Sequence, residues 1–410
     1  MIDPMENSAN QSTSFLRWRE IPGTVWALGV VSLLMDVSSE MIHVLLPLYL
    51  VTVLGTSAVM VGVIEGIAEA TASIMKIFSG ALSDRLGKRK LLATIGYGLA
   101  ALTKPVFPLA GSIGWIVGAR FIDRVGKGIR GAPRDALLAD LSPVNVRGAA
   151  FGLRQSLDTI GAALGPLLAI VFRLLTASNF IAVLWIAVVP GFLSFLVILF
   201  VVREQDHPTA KPVHLPLSFG QLRRLGRSYW FVVGVATVFA LGRFSEAFLL
   251  LRAQSAGFPL PLVPTVMLVM NVVYALAAWP TGVLSDKVGR YGLLTGGFSV
   301  LIAADLVLAF GANIPAVGIG AALWGLHMGL TQGLLASLVA DTAPGDLRGT
   351  AFGMFNLITG AATLLASLIA GALWDVIGPT GTFLAGATFT LLALLVIPTA
   401  ESASHEPAQT

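Results

Sequence analysis

Long apolar runs separated by short polar breaks occupy the chain from about residue 23 to residue 400. Twelve of them approach or exceed the ~20 residues a helix needs to cross a bilayer. They lie at about 23–54, 57–80, 91–110, 112–138, 148–172, 179–202, 229–251, 262–284, 292–311, 315–339, 349–373 and 380–400. Gly and Ala abound inside the runs, and the alternating segments of about ten residues that a membrane barrel requires are absent. The pattern predicts an all-α integral membrane protein with twelve transmembrane helices. One long polar break, residues 203–228, falls midway and is rich in Pro and basic residues. It reads as a linker between a six-helix bundle over 23–202 and a second over 229–400. A polar segment precedes them at 1–22, and the tail 401–410 reads as disordered.

The two bundles are expected to be copies. Gly80-Ala-Leu-Ser-Asp84-Arg85-Leu-Gly87-Lys88-Arg89-Lys90 returns, altered, as Gly282-Val-Leu-Ser-Asp286-Lys287-Val-Gly289-Arg290, 202 residues on. The stretch 139–152 (ADLSPVNVRGAAFG) matches 340–353 (ADTAPGDLRGTAFG) at 8 of 14 positions, 201 residues apart. Duplication at this spacing means two pseudo-symmetric halves.

Composition sharpens the membrane reading. The chain is 56% hydrophobic and 12% charged, against about 25% charged in soluble domains. It has no Cys, which removes disulfides, thiol chemistry and thiolate metal sites. With a cytoplasmic N-terminus, fifteen Lys and Arg fall in inside segments, and only Arg173 and Arg252 fall outside. This bias places both termini in the cytoplasm and favours an anionic membrane face over nucleic acid as the reason for the positive charge. The first 22 residues lack the layout of a cleaved signal, so the first span is expected to remain as an anchor.

Two sets of six spans, a central linker and G-x-L-S-D-[RK]-x-G-[KR] after spans 2 and 8 together resemble the major facilitator superfamily of secondary transporters. The resemblance covers nearly the whole chain. It implies that the loops latch the cytoplasmic side when the transporter faces outward, with Asp84 meeting the start of span 11 and Asp286 the start of span 5. Gly80, Gly87, Gly282 and Gly289 permit the close approach and tight turn that such loops need. The repeated pairs Asp140/Arg147 and Asp341/Arg348 are the expected partners of Arg89 and Arg290. The plainer alternative is that Arg85 to Lys90 only enforce topology. Family members often carry Arg followed four residues later by Gly in span 4. Arg124 and Gly128 have that spacing, whereas Arg120 sits nearer mid-membrane. Gly161, Gly165 and Pro166 in span 5 resemble the start of a motif typical of drug:proton antiporters, although Ala169 and Ile170 depart from its continuation. Gly126 to Gly131 fits G-x-G-x-x-G but follows no strand, so a nucleotide site is rejected.

Charged groups inside the spans are costly, at least ~2.5 kcal/mol each at mid-bilayer, and are the natural site candidates. Asp36, Glu40 and His43 share a face of span 1, and Glu65 and Glu69 share one on span 2, with Lys76 seven residues on. Four carboxylates on neighbouring helices cannot all be ionised cheaply in a low dielectric, which is what a proton-coupling site requires. The alternative is permanent pairing with Lys76, Lys104, Arg120, Arg124 or Arg154. Span 4 carries Arg120, Arg124 and Lys127 on one face, with Asp123 beside them, and span 5 adds Arg154 and Asp158. Lys127, Arg130 and Arg134 are expected to snorkel to the cytoplasmic interface. The second half offers Arg243 and Glu246 in span 7, Asn271 in span 8, His327 in span 10 and Asn356 in span 11. The first half is thus expected to couple to protons and the second to shape the substrate cavity.

The resulting expectation is a monomeric secondary transporter of a small organic solute in the cytoplasmic membrane, working by alternating access. Proton-coupled export is preferred, and proton-coupled import of an organic anion or zwitterion is the alternative. No Walker, HExxH or haem-attachment pattern occurs, so catalysis, cofactors, resident metals and nucleic acid are not expected. A membrane-embedded enzyme or lipid scramblase is the competing class.

Overall fold

The computed structural model describes residues 21–86, 88–143, 146–203, 222–288, 290–344 and 347–404 of the protein. Among the described residues there is no strand. The spanning helices are α1 (Gly23–Thr52), α2 (Ala58–Leu86), α3 (Arg89–Thr103), α4 (Ile113–Leu141), α5 (Arg147–Leu175) and α6 (Phe180–Phe200), followed by α7 (Arg227–Gly242), α8 (Thr265–Val288), α9 (Arg290–Phe310), α10 (Ile314–Thr342), α11 (Arg348–Ile377) and α12 (Pro379–Ser404). Short helices continue α3 over Val106–Leu109 and α7 over Ala247–Ser255.

Among the described residues, ten segments are long and apolar enough to cross a membrane. The two spans below that threshold are α3 and α4, for different reasons. α3 is broken near Pro105, which lacks the N–H needed to continue the ladder. α4 carries six charged side chains between Arg120 and Arg134, and Arg120, Asp123, Arg124 and Arg130 are buried inside the protein, away from lipid. The twelve-helix architecture read from the sequence therefore holds. α12 runs four residues past the expected end at 400, so the start of the expected tail is helical. Residues 1–20, 204–221 of the linker and 405–410 lie outside the described residues.

The two halves repeat the same packing scheme. α1 packs on α5 and α6 as α7 packs on α11 and α12. α4 packs on α2 and α3 as α10 packs on α8 and α9. Across the halves, α2 lies along α11 and α5 along α8. Small residues set these crossings: a side chain at Gly62 or Gly66 would run into the backbone of Ser367 or Leu364, and one at Gly371 into Ala58. Without a hydrophobic drive between helices in lipid, such close approach supplies the association energy. Where α2 begins and α11 ends, the N–H groups of Ala58 and Val59 donate to the Asp375 carboxylate at 3.0 and 3.1 Å. An acidic group at a helix N-terminus satisfies orphan donors and meets the positive end of the dipole.

Span 7 differs from its expected continuous helix. It stops at Gly242 and resumes at Ala247. The break is held by polar substitutes for ladder bonds: the Ser245 N–H donates to Ser367 Oγ at 3.2 Å, and the Ala247 N–H donates to Ser245 Oγ at 3.2 Å. The two cations expected on the outside are both buried. Arg252 donates to the Leu308 and Gly311 carbonyls at the end of α9, and the Arg173 guanidinium lies 3.6 Å from the Phe180 ring centre.

Gly62→Val should separate α2 from α11 and cost about 1–3 kcal/mol through overpacking. Thermal unfolding in detergent checks this, with Gly234→Val as the control because its neighbourhood is open. Equal midpoints for the two variants would show that the crossing is not tight.

Candidate functional site

Between the halves lies a cavity of about 400 Å³. The first half contributes Glu40 and His43 from α1, Glu69 and Ser73 from α2, and Arg124 and Lys127 from α4. The second contributes Arg243, Phe244, Ser245 and Glu246 from the break in α7, Gln332 from α10, and Phe355, Thr359 and Thr363 from α11. The break therefore matters chemically, because it turns backbone and four consecutive side chains toward the cavity.

Behind the first-half wall runs a chain of ion pairs. Arg120 Nη2 donates to Glu65 Oε2 at 2.6 Å, and both side chains are almost fully buried. The same carboxylate oxygen lies 3.6 Å from His43 Nε2, and the other ring nitrogen, Nδ1, is 3.3 Å from Glu40. One helical turn along, Arg124 lies 3.2 Å from Glu69. The i, i+4 spacing of 65/69 on α2 meets that of 120/124 on α4, giving two rungs between the helices. A further buried bond joins Lys104 to Asp123 at 2.8 Å, and Lys104 also donates to Ser39 at 2.9 Å.

A second cluster lies nearer the ends of α4 and α5. Arg154 reaches Asp158 at 2.9 Å and Asp135 at 3.4 Å, while Arg134 bonds Asp135 and Ser32 and lies 3.8 Å from Asp158. Asp36 sits within electrostatic reach of Asp158, Arg130, Lys127 and Arg134. The span-5 motif explains how α1 comes so close: side chains at Gly161 and Gly165 would collide with Asp36 and Glu40. These glycines seat two of the candidate carboxylates.

Of the three cations expected to snorkel, only Lys127 is exposed, and it lines the cavity. Arg130 is buried with its guanidinium 4.8 Å from the Tyr97 ring centre, and Arg134 is drawn into the carboxylate cluster. Both turn inward because partners are available there, and a partnered guanidinium need not reach the interface. Lys104, one of the cations considered for the site carboxylates, goes instead to Asp123.

The second-half candidates do not converge in the same way. Arg243 and Glu246 line the cavity 3.8 Å apart. Asn271 donates to the Ala162 carbonyl at 3.0 Å, tying α8 to α5. His327 is fully buried against the Phe239 and Trp324 rings, away from the cavity lining. Asn356 is half-buried on α11 and does not line the cavity either. Among the loop residues, Arg89 Nη1 donates to the Asp140 carboxylate and to the Ala136 carbonyl, fastening the start of α3 to the end of α4. Gly80 faces Ala132, and Asp341 is exposed near the end of α10. The side chains of Asp84, Arg85, Arg147, Asp286, Arg290 and Arg348, and Gly87, Gly282 and Gly289, lie outside what the structure describes.

The Major Facilitator Superfamily profile matches residues 28–366 and again 266–410. The chain belongs to this superfamily. It is a multi-pass membrane transporter and not an enzyme. An uncharacterised MFS-type transporter of Methanocaldococcus jannaschii is 33% identical, with 92% of this chain and 95% of that one aligned. The inner membrane transport protein YajR of Escherichia coli is 25% identical over 91% of this chain and 82% of its own. Among solved structures, a point mutant of the nucleoside transporter NupG superposes with a TM-score of 0.77 over 92% of this chain and 99% of that one, at 15% identity, which shows the shared fold.

The first-half rungs give a direct test. Arg120→Met leaves Glu65 buried without its cation and should cost about 3–5 kcal/mol. The double variant Glu65→Met/Arg120→Ala removes both charges and should recover most of the loss in thermal unfolding. If single and double variants unfold alike, the pair does not hold α2 to α4.

Proposed function

We propose that the protein exports a small organic solute in exchange for protons, by alternating access around the central cavity. The observation that carries this reading is the relay from the cavity inward: Glu40, His43, Glu65 and Arg120 are linked in series, and Glu40 and His43 are at the cavity surface. A proton delivered to this series changes which member Arg120 must compensate. Such a change in pairing is a local event able to bias two packings of α1, α2 and α4. The span-5 glycines support export, since they seat Asp36 and Glu40 where the antiporter-like motif lies.

With both termini cytoplasmic, the Ala58/Val59–Asp375 contact lies at the outer face and must part for the cavity to open there. The loops at Asp84 and Asp286 then act as the opposing latches on the cytoplasmic face. A monomer contains all of these parts.

Lys127 and Arg243 in the cavity lining favour a second reading, in which the cargo is an organic anion or zwitterion taken up with protons. A thermal-shift screen of metabolites and drugs identifies the cargo, because a ligand that binds only the folded form stabilises it. Proteoliposomes with an imposed pH gradient then give the direction. Accumulation against the proton flux supports exchange, accumulation with it supports uptake, and gradient-independent equilibration removes proton coupling.

Asp36→Asn, Glu40→Gln, Glu65→Gln and Glu69→Gln should include at least one variant with a flattened pH profile of transport. Wild-type profiles in all four would place coupling elsewhere. Asp84→Asn should lower turnover at near-normal expression, and unchanged transport would remove the latch.

A further inference from the structure

Asp305 has no counterpart in the scheme described above. It lies on α9, is fully buried, and neither carboxylate oxygen has a hydrogen-bond partner among the described residues. An isolated carboxylate in a low-dielectric interior is far too costly to remain ionised. The internal repeat shows why the group is exceptional. Arg89 and Arg290, Thr94 and Thr295, Gly96 and Gly297, and Gly128 and Gly329 are each 201 residues apart. The same spacing carries Lys104 to Asp305 and its partner Asp123 to Trp324. In the first half this position is a buried ion pair at 2.8 Å. In the second half, a carboxyl stands in the place of the cation and an indole in the place of the acid. The indole Nε1 is itself buried without a partner among the described residues.

The surroundings of Asp305 supply acceptors and rings, not cations. A Cβ at Gly386 on α12 would stand 2.8 Å from Asp305 Oδ2, 2.9 Å from the Phe244 ring and 3.1 Å from the Gly242 carbonyl, so the three line one gap beside this glycine. Thr390, also on α12, packs against Gly242. α9 packs against α8, α10 and α12. Their titratable or charged groups are Tyr274 and, at the end of the helix, Asp286 and Lys287 on α8, His327 and the terminal Asp341 on α10, and the terminal Glu401 on α12; α7 adds Arg243 and Glu246 at its break and Arg252 beyond it. Arg252 is engaged with the Leu308 and Gly311 carbonyls, Arg243 pairs with Glu246, and His327 is buried among Phe239 and Trp324. None is within salt-bridge distance of Asp305 among the described residues. A neutral carboxyl, by contrast, needs no cation beside it.

Phe244 touches both spaces: its ring faces the gap beside Asp305, and it lines the central cavity. It also belongs to the four non-helical residues between Gly242 and Ala247.

We propose that Asp305 is a second proton-binding group of the transporter, loaded and unloaded from the central cavity when the break in α7 moves Phe244 aside. A proton arriving from cavity water adds to a carboxylate oxygen and gives the neutral acid. Its return to the cavity restores the anion, and no other bond is made or broken. The role of this proton in driving transport rests on the exchange reading above, whereas the presence of the proton on Asp305 does not.

The test reads the proton itself and needs no substrate. Infrared spectra of the full-length protein in lipid vesicles should show the carbonyl stretch of a neutral carboxylic acid. Asp305→Asn should delete that component and Asp305→Glu should shift it, while Glu65→Gln leaves it in place. An unchanged spectrum in Asp305→Asn overturns the proposal. In D2O the component should move slowly to its deuterated position in the wild type and faster in Phe244→Ala. Equal rates would overturn the gating role of Phe244. If the Asp305 component is present while the four first-half variants keep wild-type pH profiles, the first-half coupling reading fails and this site survives. If the first-half variants flatten those profiles while Asp305→Asn leaves the spectrum unchanged, the reverse holds.

Discussion

An ionised carboxylate persists inside a bilayer-spanning bundle only beside a cation, and the bond from Arg120 to Glu65 meets that condition at the centre of this one. The arrangement of α1, α2 and α4 follows from it. Glu65 and Arg120 fix the register of α2 against α4, and the next turn repeats the match with Glu69 and Arg124. Gly128 allows the crossing to be close enough, since any side chain there would meet Met75 and the Ala72 carbonyl. His43 then joins α1 to the same carboxylate and carries the series to Glu40 at the cavity. A change in the charge of one member is therefore felt by three helices, because a buried cation cannot be left uncompensated.

The second half uses other physics on the same scaffold. Its inner wall is built of rings: Phe239 stacks on Phe298 at 4.1 Å, and Phe244 contacts Phe248, Trp324 and Phe383. Rigid apolar packing of this kind positions the break in α7 without charges. Arg243 and Glu246 can then project into the cavity from irregular backbone, which is tolerated at membrane depth only where it lines a cavity or is buried in protein.

Hydropathy made the spans, the duplication and the family legible, because length, apolarity and repeated motifs are properties of single segments. The spacing 65/69 and 120/124 announced two charged faces. It did not say that they meet each other, and pairing across helices decided the rest. Arg130 and Arg134 read as interfacial because each alone would snorkel, yet Tyr97 and Asp158 lie within reach. The charges at Arg243 and Glu246 do not by themselves announce the break at 243–246, since it depends on Ser367 from α11. Asp375 carries no motif, and its role depends on the start of α2 lying beside it. Asp305 was lost in averaging, one acid in an otherwise apolar run.

Comparison of the halves shows how such charges change. The Gly128–Met75 contact of the first half corresponds to Gly329–Ala277 in the second, which aligns α4 with α10 at 201 residues and α2 with α8 at 202. By that alignment Glu65 corresponds to Met267 and Arg120 to Ala321, both buried and apolar. The pair differs at both ends together, as it must, because removing one partner from a buried ion pair costs about 3–5 kcal/mol while replacing both is often neutral. The glycines stay because they meet backbone, which no neighbouring substitution can relieve. Lys104 and Asp123 break this rule: their counterparts are Asp305 and Trp324, where an ionisable group stands without a complement. A buried acid without a cation is stable only with a hydrogen of its own, and a hydrogen that can be given up to the cavity is what distinguishes a proton-binding group from a structural one.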